Sequence, residues 1–420
     1  MKHLLRLALL AIAAWFVDPG VMAQATSEEA SALTPPRQIL VMLNLPRPHY
    51  RPDSSYAGHY GDSVGLQARK RTAADLAREY KLELQDEWPM PMAGVDCFVM
   101  LVPENSSRTP VELAKAISAD KRVAWAQAEK LYRGQGSQGA EMPRQGARES
   151  KTLYPTQPAA AQWHLTDLHT LATGRGTRVA VIDSGVSSEH PDLMGQVVLN
   201  ENFVDGRPLL GESHGTAVAG IIAARADNRQ GILGVAPRAS LLALRACWQE
   251  ATLTLCTTLS LAKALHEAIQ QRAEIINMSL GGPDDRLLGR LIDEALLRGI
   301  TVVAAVGEEG SRFPASHAGV LAVGSTPPLP KGAVLAPGRD VPTTAPNGGW
   351  TLVNGSSFAS AHAAGLVALL RELGSGQPAS LGKALVVDAS GRIDTCATLA
   401  RRARTTSSSC GATTLGQTSE

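Results

Sequence analysis

Three short segments carry side chains whose types could act together. RVAVIDSGV ends an apolar run on Asp183, SHGTAVAGIIAA sets His214 ahead of small residues, and NGSSFASAHAAGLVALL does the same for Ser357. A hydroxyl becomes a nucleophile when a base takes its proton, and the base needs a carboxylate to orient it. Asp183, His214 and Ser357 supply one of each. A serine at a helix N-terminus also offers its own backbone N–H where negative charge develops. Taken singly, each has an ordinary role: an Asp after a strand forms turns, a His before Gly-Thr or a Ser in Gly-Ser-Ser caps a helix. Together, in the order Asp, His, Ser, they match one of the chain orders known for such a triad. A fourth stretch, VVAAVGEEG, ends another apolar run on Glu308 and Glu309. Carboxylates there need explaining, because they can accept hydrogen bonds but, when ionised, cannot donate them.

The elements that must position these residues follow from the pattern of residues 151–402. RVAVID, SLLALRA, EIINMSL, TVVAAV and VLAVG are short apolar runs expected as strands buried on both faces. AVAGIIAA, LSLAKALHEAIQQRA, RLLGRLIDEALLRG and FASAHAAGLVALLREL are expected as helices. Such alternation predicts a parallel sheet covered on both faces. Sites in these folds gather at the C-terminal ends of the strands, which is where Asp183, Glu308 and the SLGG segment of Ser279, Leu280 and Gly281 fall.

Residues 38–133 have a different texture. QILVMLNL, DCFVMLV and VAWAQAEKLY predict strands, and AADLAREYKL and PVELAKAISA predict helices, giving a small α+β domain. HYRPDSSYAGHYGD interrupts its first crossover. Residues 134–150 lack apolar periodicity and read as an exposed linker open to proteolysis, with Arg133, Arg144 and Arg148 as candidate cleavage points. Residues 1–23 read as a signal peptide, with an apolar run from Leu4 to Phe16 and small residues at Val21-Met22-Ala23. Cleavage is expected after Ala23, with Ala25 as the second choice. The competing reading, an uncleaved anchor, is disfavoured because a span needs roughly 20 residues. Residues 24–37 are expected to be disordered and 403–420 to form a flexible tail. The expected location is secreted or periplasmic.

Composition removes other classes. The net charge of +1 gives no field directed at nucleic acid or an anionic surface, and 4% aromatics gives few platforms for base stacking. No stable membrane insertion is expected once the leader is removed. Export permits disulfides. Cys247 with Cys256, and Cys396 with Cys410, look like local pairs, leaving Cys97 as a buried thiol, although spacing alone cannot fix connectivity. No spacing resembles a zinc site. His266, His317 and His362 are expected to be packing or surface residues.

Residues of about 160–400 resemble the subtilisin-like serine protease family. VAVIDSGVSSEHPDL resembles its aspartate segment, and HGTAVAGIIAA with GILGVAP its histidine segment. INMSLGG resembles the strand lining its cleft, and GRDVPTTAP with NGSSFASAHAAGLVALL its serine segment. The resemblance implies an α/β fold, a subtilisin-like parallel sheet flanked by helices, preceded by a small α+β, ferredoxin-like propeptide domain. It implies a self-processing serine endopeptidase, with Asp183 orienting the imidazole, His214 as base and then acid, and Ser357 as the acylated nucleophile. Ser356 is the weaker candidate. Ser279, Leu280 and Gly281 would bind polypeptide substrates by main-chain pairing, and the chain's own propeptide would cover the cleft. No cofactor is implied. Related enzymes hold calcium in surface loops, and Asp284-Asp285 could contribute, against the competing reading of a solvated turn.

Two positions depart from the family. Ala361 stands where Pro is usual, which should affect a helix turn more than the chemistry. Glu308 stands in the column of an Asn that donates to the oxyanion; one residue of slip would put Glu309 there instead. Loss of that donor costs about 10²–10³ in turnover, a magnitude measured on subtilisin itself. Three readings follow: a protonated Glu308 that donates in acid, slow activity serving mainly self-cleavage, or a catalytically weak peptide-binding protein.

Overall fold

The computed structural model of the chain describes residues 35–45, 63–141, 152–226, 230–307, 312–374 and 384–403. The first elements are β1 (Gln38–Asn44), α1 (Ser63–Tyr80), β2 (Glu83–Met90), β3 (Val95–Leu101), α2 (Pro110–Ser118) and β4 (Trp125–Ala128). Their four strands pair antiparallel in the order β2-β3-β1-β4. Alternation along the strands sends Ile39, Val41, Phe98 and Met100 to one face, where they pack with Leu76, Leu113 and Ile117 of the two helices. Leu40, Met42, Cys97 and Val99 point the other way, into a core shared with later helices. Strand β2 is absent from the sequence reading. Its residues are mostly exposed at the sheet edge, so ELQDEWPM carries no apolar alternation.

Next come β5 (Leu131–Gly134), β6 (Ser137–Glu141), α3 (Pro158–Trp163), α4 (Leu165–Leu171), β7 (Arg178–Asp183), β8 (Val197–Asn202), α5 (Ser213–Ala223), β9 (Ser240–Arg245), β10 (Cys247–Glu250) and β11 (Leu253–Thr257). They are followed by α6 (Thr258–Gln270), β12 (Ile275–Met278), β13 (Leu280–Gly281), α7 (Arg286–Leu297), β14 (Thr301–Ala305) and β15 (Leu321–Gly324). The last are β16 (Val334–Leu335), β17 (Val341–Thr344), β18 (Trp350–Asn354), α8 (Ser356–Glu372) and α9 (Thr395–Ala403). Seven strands form a sheet in the order β16-β15-β14-β12-β7-β9-β8, every neighbour parallel. Helices α5 and α8 share one core with one face of this sheet; α6 and α7 share another with its opposite face. The mixed α/β architecture expected from the sequence is the observed one.

Helix α8 shows why small residues recur beside the site. Ala359, Ala361, Ala363 and Ala364 are all fully buried, which lets the helix run through the core close to its neighbours. Ala361, where Pro is usual in the family, sits within an unbroken helix. His362 packs edge-on against Trp163 at 5.6 Å, and burial pushes its pKa down to about 4. His266 is buried on α6, and His317 bonds Asp293 at 2.9 Å. All three are thus packing or surface residues.

Cysteines 247 and 256 form a disulfide across β10 and β11, and Cys97 is a buried free thiol. Cys396 is also disulfide-bonded; its expected partner, Cys410, lies outside the described residues. Also outside them are the leader, the tail beyond 403, the insertion at 49–62, and Glu308 and Glu309. Among the described residues no helix is long and apolar enough to cross a membrane.

Candidate active site

Strand β7 runs through the middle of the parallel sheet and ends at Asp183, whose side chain is buried. The following turn folds back on itself, with the Ser184 amide donating to Asp183 Oδ1 at 2.7 Å. Helix α5 starts against this turn because Gly215 lacks a side chain: a Cβ there would stand 2.1 Å from the Ser184 carbonyl oxygen. That approach brings His214 Nδ1 to 2.7 Å from Asp183 Oδ1. On its other side, His214 Nε2 lies 3.0 Å from Ser357 Oγ, in the first turn of α8. Facing a carboxylate, Nδ1 carries the proton, which leaves Nε2 with a lone pair toward the hydroxyl. Asp183 Oδ2 is buried and has no hydrogen-bond partner among the described residues.

A supporting pair was not anticipated from sequence. Glu212, just ahead of α5, accepts from the Gly185 amide at 2.7 Å and the Gln249 amide at 2.9 Å. It also pairs with Arg245 through two hydrogen bonds of 3.0 Å. Burial works to raise its pKa, but Arg245 and the two amides outweigh burial and hold the carboxyl below its ordinary range. The pair ties the turn after β7, the start of α5 and the end of β9 into one frame. Its only sequence signal is a Glu two residues before His214.

The chain itself lies in the cleft beside these residues. Strand β5 is clasped between β11 and β13, with Leu255 and Gly281 opposite Arg133, Cys256 opposite Tyr132, and Leu280 opposite Gly134. The Gln135 amide donates to the Ser279 carbonyl at 3.2 Å and approaches Ser357 Oγ at 2.9 Å. The Gln135 carbonyl accepts from the Ser357 amide at 2.9 Å. Beyond it, β6 pairs with β18. Residues 134–141 therefore differ from the exposed linker expected there. Main-chain ladders hold them, and ladders leave no apolar pattern in the sequence; residues 142–150 lie outside the described residues.

Three glycines make the fit. A Cβ on Gly134 would meet His214 Nε2 at 3.0 Å, and one on Gly136 would meet the Phe358 ring at 2.6 Å. Gly355, with φ of 137°, admits the chain: a Cβ there would stand 2.5 Å from the Gln135 oxygen. Ser279 holds the floor, its Oγ donating to the Ser357 carbonyl at 2.9 Å and receiving the Asn277 amide at 2.8 Å. Val306 and Gly307 line the cleft beside Gln135; Glu308, the next residue in the chain, lies outside the described residues.

Asp284 and Asp285 do not fit a calcium site. Asp284 is exposed, while the Asp285 carboxylate is buried and caps α7 by accepting from the Leu287 and Leu288 amides at 2.9 and 3.1 Å. Gln127 and Thr258 take its remaining capacity. The solvated-turn reading is therefore corrected at Asp285, which is a buried helix cap. Among the described residues, no group of three or more His, Cys, Asp or Glu side chains could hold a metal ion.

The parallel sheet, with a Ser, a His and an Asp in hydrogen-bonded sequence at its strand ends, defines a subtilisin-like α/β protein. The profile of the subtilase family matches residues 174–411, and the chain belongs to that family. It is 36% identical over 220 residues to thermitase of Thermoactinomyces vulgaris, covering 49% of this chain and 78% of thermitase. It is 39% identical over 215 residues to a thermophilic serine proteinase of Bacillus sp. strain AK1, covering 47% of this chain and 53% of that protein. The chain thus spans about half of that proteinase's length. In fold it is similar to fervidolysin from Fervidobacterium pennivorans, a keratinolytic enzyme related to subtilisin. The TM-score is 0.66 at 21% identity, over 87% of this chain and 61% of fervidolysin.

Proposed function

We propose that the chain is an exported serine endopeptidase, made as a precursor that cuts itself between Gln135 and Gly136. One observation carries this reading: the Gln135 carbonyl is held by the Ser357 amide while Ser357 Oγ lies in hydrogen-bond sequence with His214 and Asp183. Ser357 Oγ attacks the Gln135 carbonyl carbon as His214 Nε2 takes the hydroxyl proton. Asp183 stabilises the imidazolium, and the Ser357 amide donates to the oxyanion. Collapse breaks the carbon–nitrogen bond, His214 hands its proton to the Gly136 nitrogen, and Gln135 is left as an ester on Ser357. Water, activated by His214, then releases the acid.

Ser279, Leu280 and Gly281 bind other polypeptides as β13 binds β5, through main-chain hydrogen bonds. Residues 38–133 act as the propeptide, keeping the cleft filled until the cut is made. The leader-like residues 1–23 and the Cys247–Cys256 disulfide support export, since disulfides persist in oxidising compartments. No cofactor enters the reaction.

Glu308 supports a second reading. If it takes the place of the family's Asn, the oxyanion loses a donor and gains a neighbouring carboxylate. The fold would then bind peptides while hydrolysing them weakly. A fluorophosphonate separates the two readings, because it reacts only with an activated serine. After residues 38–135 are removed, we expect Ser357 to be labelled and Ser357→Ala to stay unlabelled. An unlabelled wild-type protein would leave the peptide-binding reading.

A further inference from the structure

We propose that this cleft reads the hydroxyl of a tyrosine lying three residues before the attacked carbonyl, so that its substrates carry Tyr there in preference to Phe. The inference rests on the hydrolytic reading above and adds a substrate class to it.

Tyr132 occupies that position and is completely buried, whereas Arg133 beside it is exposed. Its ring lies 6.4 Å from that of Phe313. It rests on Gly282, where a Cβ would stand 2.2 Å from a ring carbon. An apolar slot of this kind would take Phe or Leu equally well. The far end of the slot is not apolar. Tyr132 Oη donates to the Pro283 carbonyl at 3.1 Å, with Thr258 and the Asp285 carboxylate alongside. Thr258 Oγ1 in turn donates to Asp285 Oδ2 at 3.0 Å. Burial and the Asp285 charge both raise the phenol's pKa, so the hydroxyl keeps its proton and serves as a donor.

Once the bond is cut, Gln127 and Lys130 leave with the departing segment, and they are two of the groups that now face Asp285. Pro283, Thr258 and Asp285 remain. What stays at the end of the slot is the Pro283 carbonyl, beside the Thr258 hydroxyl and an Asp285 carboxylate that Thr258 and the Leu287 and Leu288 amides continue to bond. A phenylalanine ring would cover the Pro283 carbonyl from water and offer it no proton. Sites built to hydrogen-bond a hydroxyl discriminate against the analogue lacking it, because their own polar groups are left unpaired.

The test compares the octapeptide of residues 131–138, LYRGQGSQ, with LFRGQGSQ as substrates of the processed protein. The Tyr peptide is expected to show kcat/KM about 10- to 100-fold higher, the weight of one buried hydrogen bond. Thr258→Val is expected to narrow that ratio. Equal kcat/KM for the two peptides overturns the inference. Failure to cleave either peptide counts against hydrolysis instead, and the slot is then read without turnover. In the full-length Ser357→Ala chain, hydrogen exchange at amides 131–135 is expected to speed up at least about tenfold when Tyr132→Phe is added. Unchanged exchange in Tyr132→Phe overturns the inference whether or not the protein is a protease.

Discussion

At the scale of single residues, the proposed place of Glu308 at the oxyanion can be tested through its effect on rate. If its carboxylate stands at the oxyanion, Glu308→Asn supplies a donor and removes a charge. Turnover of a peptide substrate is then expected to rise about 10²-fold, the lower end of the effect measured on subtilisin. Steady-state kinetics of the processed variant at pH 7.5 check this. An unchanged or lower kcat would remove Glu308 from the site. Asp183, His214 and Ser357, which lie in hydrogen-bond sequence, were legible because each is embedded in a local signal: an apolar strand ending on Asp, or small residues opening a helix behind His and Ser. Glu212 and Arg245 were not. Their pairing joins segments 33 residues apart, and neither segment bears a motif.

The β10–β11 hairpin belongs to the scale of elements. Strand β11 has β10 on one side and the cleft segment β5 on the other. When β5 departs, a two-stranded ribbon remains, and isolated ribbons are marginally stable in water. The disulfide joining Cys247 and Cys256 sits directly across this pair; in the proposed protease it would hold β11 ready to receive a substrate strand. Replacing both cysteines by serine is expected to raise KM about fivefold, equivalent to ~1 kcal/mol, and to leave kcat much less changed, because the triad lies on other elements. A fall in kcat at constant KM would contradict that role. Five of the seven strands of the parallel sheet, β7, β9, β12, β14 and β15, could be read from apolar runs; β8 and β16, at the two sheet edges, could not. Strands β2 and β6 could not, β2 being an exposed edge and β6 held by main-chain pairing that any sequence can make, while the run VAWAQAEKLY, read as one strand, divides into β4 and the first half of β5.

At the scale of the whole molecule, residues 38–133 and the parallel-sheet portion share an apolar core, joining Leu40, Met42 and Val99 to Leu261, Leu288 and Leu291. Polar contacts at its margin fix the register. Lys263 stands 3.2 Å from Asp86, 3.3 Å from Asp205 and 4.8 Å above the Trp88 ring. Arg286 and Arg290 both lie 4.5 Å from the Trp125 ring. Glu129 caps α6 by accepting from the Leu259 amide at 3.0 Å, and its second oxygen is buried with no hydrogen-bond partner among the described residues. Burial raises its pKa against the pull of Leu259, Thr257 and Lys263, with Asp205 adding to the rise. A carboxyl whose pKa is raised in the folded state stabilises the contact fully below about pH 4.5, its ordinary value. That stabilisation is lost as the pH climbs through the raised value. After the cut, the 38–135 fragment should therefore leave faster at pH 7.5 than at pH 5. Glu129→Gln, which keeps the acceptor and never ionises, should slow release at pH 7.5 and flatten the difference. Size-exclusion time courses of the cut protein measure both; an identical pH dependence in the variant would exclude Glu129 as its source.

The most direct test of the account is the intact mass of the purified precursor at pH 5 and pH 7.5, beside its Ser357→Ala form. The account predicts that the wild-type chain is cut after Gln135, leaving a new N-terminus at Gly136, while Ser357→Ala stays whole. It would be contradicted if both proteins stayed whole at both pH values, or if both were cut alike.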